Sequence, residues 1–319
     1  MPQAARSENA RGLWYGFAAY GMWGLFPLYW PLLEPSSAME ILANRMVWSL
    51  VAAVAILAVR RHWSWLRPLL GQPRRLALSA LAAAVIAVNW GVYIWAVNAG
   101  HVVESSLGYF INPLVTIGFG VLLLHEKLRR AQWAAVGIGA VAVAVLTVGY
   151  GRLPWIALSL AFSFGSYGLL KKKVALGGLE SFALEAGFLF PIALGYLGYL
   201  AATGHSSLGH GAGHTALLAL TGPITAVPLL CFGASAIRLP LSTIGLMQYL
   251  APVFQFLIGI VYFHETMEPA RWAGFALVWV ALLVLTWDAL RRGTRAARGD
   301  APQLGRGEPA VSEGVASGR

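Results

Sequence analysis

Arg45 and Glu185 are ionisable residues set deep in apolar sequence, in the stretches Glu40-Ile-Leu-Ala-Asn-Arg45-Met-Val-Trp48 and Glu180-Ser-Phe-Ala-Leu-Glu185-Ala-Gly-Phe188. An ionised side chain in hydrocarbon needs a counter-ion, water or a polar solute, so each marks a candidate charge or coupling site. Their signs are opposite, and each can complement the other or a zwitterionic or polar solute. The competing reading has Arg45 snorkel outward to Glu40 or Glu104 while Glu185 reaches the other surface. A carboxylate in a dry span can carry a coupling proton, which makes Glu185 and Glu104 candidates for proton coupling.

Large uncharged polar groups form a second set. Asn89 and Tyr93 lie one helical turn apart, Tyr109 and Asn112 share a stretch with Ser106, Pro113 and Thr116, and Gln248 and Gln255 flank Pro252. In a membrane these side chains line a wet cavity or bond one helix to another. Asn89, Tyr93, Tyr109, Asn112, Gln248 and Gln255 are therefore the candidate substrate-cavity residues. Ser159, Ser163 and Ser166 share a helix face and read more simply as helix contacts. His125-Glu126 and His264-Glu265 lack the spacing of a metallohydrolase, and their carboxylates suit capping the amide end of the next helix. His205, His210 and His214 occupy a Gly- and Ser-rich stretch with no carboxylate or cysteine, which reads as a flexible linker and not a metal site. Cys231 has no intrachain partner and reads as packing. Neither a cofactor nor a nucleotide-binding motif is expected.

The elements that carry these residues are apolar helices. The 319 residues are 58% hydrophobic and 11% charged, with a mean hydropathy of +0.66. Ten runs are long enough to span a bilayer core, near 12–33, 38–59, 75–98, 103–124, 131–149, 153–170, 180–201, 215–236, 241–263 and 270–289. Barrel-type alternation is absent, so the expected class is an all-α membrane protein of ten transmembrane helices. The first run has no short apolar core ending in a small-residue cleavage site, so it is not read as a signal peptide.

The net charge of +10 follows topology. Lys and Arg collect at Arg6 and Arg11, at Arg60 to Arg75, at Lys127 to Arg130, at Lys171 to Lys173, at Arg238 and in the tail, all on one side if ten spans alternate. The other side holds only Arg152 and Arg271, which predicts both termini in the cytoplasm of a multi-pass inner-membrane protein and excludes a nucleic-acid role. Residues 1–11 read as a cytoplasmic leader and 291–319 as a disordered basic cytoplasmic tail.

The chain also repeats itself. Pro113, His125, Glu126, Ala131 and Trp133 recur as Pro252, His264, Glu265, Ala270 and Trp272 at an offset of 139, and Glu40, Ala43 and Arg45 align with Glu180, Ala183 and Glu185 at 140. Two five-helix repeats, 12–149 and 153–290, follow. An odd number of crossings inserts the second copy upside down, an arrangement common in secondary transporters.

The motifs Glu40-Ile-Leu-Ala-Asn-Arg45-Met-Val-Trp48-Ser49, Asn89-Trp90-Gly-Val-Tyr93-Ile-Trp95, Ser105-Ser106-Leu-Gly108-Tyr109-Phe110-Ile-Asn112-Pro113 and Leu241-Ser-Thr-Ile-Gly245-Leu-Met-Gln248-Tyr249-Leu-Ala-Pro252 resemble the RarD proteins. These form part of the EamA group in the drug/metabolite transporter superfamily. Asn44 and Met247 depart from that pattern. The resemblance implies a ten-helix permease, often labelled a chloramphenicol-sensitivity protein. The resulting expectation is a non-enzymatic permease that exports a small organic solute by alternating access, with a passive channel or a membrane enzyme using the His-Glu pairs as alternatives.

Overall fold

Helix starts and stops follow local chemistry. The second long helix begins where the Ser37 hydroxyl accepts the amide of Glu40 at 3.2 Å, and it ends where Arg61 turns left-handed. The first span does not run straight through. Pro27 and Pro31 lack the N–H that continues a helix, and the chain breaks after Gly24 into a short helix, Phe26–Tyr29, and a 3-10 turn, Trp30–Leu33. This break places Phe26 and Trp30 inside the bundle.

The computed structural model describes residues 2–124, 130–209, 211–236, 238–239, 243–244 and 247–299. Among them ten helices of twelve or more residues occur and no strand. They are α1 (Pro2–Gly24), α2 (Ala38–Arg60), α3 (Pro73–Asn98), α4 (Val102–Leu124), α5 (Arg130–Tyr150), α6 (Trp155–Val174), α7 (Gly178–Ala202), α8 (Ala212–Ala236), α9 (Leu250–Val261) and α10 (Pro269–Gly299). Seven of these, α2 to α5, α7, α8 and α10, are long and apolar enough to cross a membrane. Helix α1 carries a polar first half, α6 ends in a lysine run, and α9 has only 12 residues. Large apolar side chains cover the outside of the bundle, among them Trp14, Val148 and Ile192, each more than 70% exposed, as lipid contact requires.

Residues 2–11, expected as a cytoplasmic leader, form the first turns of α1. Two sequence expectations change at the ends of elements. Helix α10 continues to Gly299, so the tail expected to be disordered from 291 begins as helix. Helix α9 is shorter than the expected 241–263, and residues 241, 242, 245 and 246 lie outside the described residues. So do His125, Glu126 and His210.

The packing has the symmetry that a duplication demands. Helices α5 and α10, α2 and α7, and α4 and α9 pack as mates across the centre. Every other major pairing has a counterpart five helices on: α3 with α6 and α8 with α1, α4 with α6 and α9 with α1, α2 with α8 and α7 with α3. Each repeat therefore lends its first helix to the other, and the two cannot separate as independent bundles. Close crossings depend on small residues. A Cβ at Gly222 of α8 would sit 2.2 Å from the Trp48 carbonyl oxygen of α2, and one at Gly108 of α4 would sit 2.7 Å from the Ala157 carbonyl oxygen of α6.

The buried apolar side chains form two main clusters. One joins Phe26 and Trp30 to α2, α3, α7 and α8, and contains Ile41, Met46, Ile94 and Leu218. The other joins α4, α5, α6, α9 and α10 through Leu107, Leu146, Phe256 and Phe275. The first cluster encloses the buried charge.

Candidate functional site

Arg45 lies just under two turns into α2, which at a rise of about 1.5 Å per residue puts it roughly 10 Å from the start of the helix. It is 3% exposed. Its guanidinium carbon stands 3.9 Å from the centre of the Trp90 ring, 5.2 Å from Trp30 and 5.7 Å from Phe26. Such cation–π contacts offer about 0.5–2 kcal/mol each, less than the desolvation of a buried ion. Arg45 Nε donates to Thr225 Oγ1 at 2.9 Å, and that hydroxyl donates to the Thr221 carbonyl. No other hydrogen bond of Arg45 occurs among the described residues, and none of the ion pairs there includes it. Pairing with Glu40 or Glu104 is not what the structure shows.

Three further polar atoms in the same cluster lack partners: Trp30 Nε1, the Ser49 hydroxyl and the Tyr93 hydroxyl, all fully buried. Tyr93 meets Tyr109 edge to face with ring centres 5.6 Å apart, and both hydroxyls lie within electrostatic reach of the guanidinium. Asn89 is satisfied. Its amide donates to the Leu160 carbonyl at 3.0 Å and to Ser163 Oγ at 2.9 Å, and its oxygen accepts from Tyr109 at 3.4 Å. It ties α3 to α4 and α6, a role that the serine stripe on α6 shares.

A narrow cleft begins beneath the Trp90 plate. It is lined by Met46, Ser49, Ile86, Trp90, Phe182 and Glu185, and its volume of about 10 Å³ is room for roughly one water. Glu185 is the ionisable group among its lining residues. Its carboxylate accepts from Lys171 Nζ at 2.9 Å, Tyr167 at 2.9 Å and Ser181 at 2.8 Å. Arg45 does not line the cleft but stacks on Trp90, which forms one of its walls, and the Glu185 carboxylate pairs with Lys171 and not with Arg45.

The remaining cavity candidates lie apart. Asn112 on α4 has a buried amide oxygen without a partner. Gln255 on α9 donates to the Trp23 carbonyl of α1 at 3.2 Å, and its own oxygen is unpaired. Gln248 is exposed in the turn before α9 and its side chain bonds to Tyr249, seven residues ahead of the buried Gln255.

Carboxylates tie the ends of the bundle. At the face opposite the chain termini, Glu40 accepts the Ser207 amide at 2.8 Å and the Ser206 hydroxyl at 3.3 Å, and Ser36 bonds Ser207 and His214. The loop read as a flexible linker is therefore pinned. Glu104 pairs with Arg152 at 2.8 Å and accepts the Ile156 amide at the start of α6. Glu265 accepts the amides of Val102 and Val103, capping α4 of the other repeat and not the next helix as expected. Burial pushes the Glu265 carboxyl up to about 7, against the pull of those two amides and of Arg271. At the terminal face, Glu180 meets His62 at 2.7 Å, and Arg75 donates to the carbonyls of Val174 and Ala175. No trio of metal-ligating side chains comes together among the described residues.

Trp30, Trp90, Thr225, Tyr167 and Lys171 were not singled out in the sequence. Trp90 directly follows Asn89. Tyr167 and Lys171 stand one turn apart on α6, but the lysine run was read wholly as an orientation signal.

Comparison with known proteins agrees with this architecture. The profile of the EamA-like transporter family matches residues 10–148. The Protein RarD of Streptomyces exfoliatus is 65% identical over 91% of this chain and 93% of its own. The uncharacterized transporter YojE of Bacillus subtilis is 44% identical, covering 89% of this chain and 96% of its own. The Protein RarD of Escherichia coli is 40% identical, with 89% and 96% covered. A crystal structure of another protein, 17% identical, superposes with a TM-score of 0.54 over 86% of this chain and 97% of that one, a likeness of fold alone. With identity this high over nearly the full length, the chain belongs to the RarD proteins of the EamA-like transporter family, within the drug/metabolite transporter superfamily.

Proposed function

We propose that this membrane transporter moves a small organic solute by alternating access, with two interleaved halves, each built on one repeat and the first helix of the other, rocking about the cleft beneath Trp90. The observation that carries this reading is the enclosed cleft beneath Trp90, bounded by polar ties at both ends of the bundle. A passive channel needs a continuous wet path, whereas a carrier needs a chamber that opens to one side at a time. The positions of Lys and Arg favour a cytoplasmic terminal face in the inner membrane. Export is the proposed direction, as expected from the sequence. Non-enzymatic action fits the family.

Counterflow in proteoliposomes tests the mechanism. Vesicles loaded with a metabolite extract and diluted into labelled candidate solutes should show accelerated exchange that saturates. Flux that is unsaturable and insensitive to solute on the other side would favour the channel instead. Reporter fusions test the orientation: a cytosolic reporter after residue 175 and an exported one after residue 210 should be active, and the reverse pattern would overturn it.

A further inference from the structure

We propose that Arg45 is the seat for the anionic end of the transported solute, a small organic anion with a carboxylate and a planar apolar body. This inference rests on the transporter reading and deepens it. Arg45 is buried, its two terminal nitrogens make no hydrogen bond among the described residues, and no carboxylate neutralises it. The indole nitrogen of Trp30 is likewise buried and unpaired. Guanidinium and indole N–H groups are donors only, so what completes them is an acceptor. A planar carboxylate meets the guanidinium fork with two parallel bonds. The unpaired hydroxyls of Ser49 and Tyr93 accept or donate as needed, and Ser49 lines the cleft itself.

The carboxylate on the cleft beside Trp90 sets the net charge of the solute. A zwitterion would need a free carboxylate for its ammonium group. Glu185 is not free, because Lys171, Tyr167 and Ser181 already occupy it. The site is therefore built for an anion and not for an amino acid held at both ends. Phe26, Trp30, Trp90 and the Tyr93–Tyr109 pair surround the cation with ring faces and edges, which suit a flat apolar body. The cleft is too small for such a solute as it stands, so binding includes opening of α2, α3 and α7 around it.

Thermal unfolding of the purified full chain with isosteric probes tests the assignment. Benzoate and phenylacetate should raise the melting temperature in a saturable way, and benzyl alcohol and benzylamine should not. Arg45→Gln should lose the response, and Arg45→Lys should keep a response weakened at least tenfold in apparent affinity. Gel filtration of each variant establishes that it is folded, and Ser49→Ala, expected to weaken the response by a smaller factor, serves if Arg45→Gln does not fold. Equal responses to benzoate and benzyl alcohol, a full benzoate response in folded Arg45→Gln, or no response to either carboxylate overturns the anion seat. None of these outcomes alters counterflow of other solutes, which tests the transporter reading separately. A lipid phosphate offers similar acceptors, so the titration is repeated with phosphatidylglycerol in the micelles. Displacement of benzoate by that lipid would assign the site to a head group and overturn the soluble-anion proposal.

Discussion

Arg45 on α2 and Glu185 on α7 occupy equivalent places in the two repeats, yet their surroundings are opposite in kind. Glu185 has three donors, one of them a cation. Arg45 has one neutral acceptor and a set of aromatic rings. Five residues earlier in each helix, the mates Glu40 and Glu180 still do the same work, tying the helix start to the loop between the second and third helices of the other repeat. Duplication has kept the ties at the ends of the bundle and let the chemistry at mid-depth diverge. The charge whose protein partners are incomplete is the one left free to meet a solute.

The largest expected effect comes from that incomplete site. Arg45→Ala should reduce transport by at least tenfold, because no neighbouring cation can replace the guanidinium. Flux in proteoliposomes, normalised to folded protein, is the check, and near-normal flux would remove the functional half of the comparison. The charge-swapped variant carrying Arg45→Glu and Glu185→Arg should not rescue transport, since Glu185 answers to Lys171. Recovery in that double variant would show that the two mates couple directly after all.

Next in size is the satisfied site. Lys171→Ala leaves the Glu185 carboxylate buried without its cation, and should cost about 1–3 kcal/mol, reduced from the fully buried case because Lys171 is partly exposed. Adding Glu185→Gln should restore part of that loss. Chemical denaturation of the single and double variants measures the coupling, and additive losses would mean that the pair is incidental. Gly222→Val provides a reference for pure packing damage, since its side chain would collide with the backbone of α2.

The smallest effect concerns Glu265. Its carboxyl is pushed up to about 7 in the folded chain from an ordinary 4.5, so between those values the folded state holds more proton than the unfolded. Stability from this group is therefore fully present below about pH 4.5 and is lost as pH rises through about 7. Glu265→Gln should flatten that part of the stability profile, by an amount on the order of 2 °C in melting temperature. An unchanged profile in the variant would place the pH dependence elsewhere.

The repeat, the helical class and the deep placement of Arg45 and Glu185 were legible in the sequence because hydropathy and residue spacing encode them directly. The partners were not. Lys171 belongs to a run whose position already had a topological explanation, and its reach back along α6 to Glu185 depends on the crossing of α6 with α7. Thr225 and Trp90 come from helices distant in sequence and carry no charge to attract notice. The turn at Gln248 and Tyr249 that precedes α9 was not legible either, because an apolar run predicts a span but not the breaks within it. Glu265 was read correctly as a capping group, and its actual target, α4 of the other repeat, is a product of the interleaved packing.

If Arg45 serves a solute while Lys171 and Glu185 serve the fold, the two cations differ in what their loss costs the folded chain. Melting temperatures of Arg45→Gln and Lys171→Gln, measured without ligand in the same detergent, separate the two roles. A buried cation whose attraction to its neighbours barely offsets its desolvation should be replaceable at little cost, whereas breaking a satisfied buried pair should not be. The melting temperature of Arg45→Gln should lie close to that of the unaltered chain, and that of Lys171→Gln should fall by several degrees. A drop in Arg45→Gln as large as that in Lys171→Gln would assign Arg45 to the fold instead.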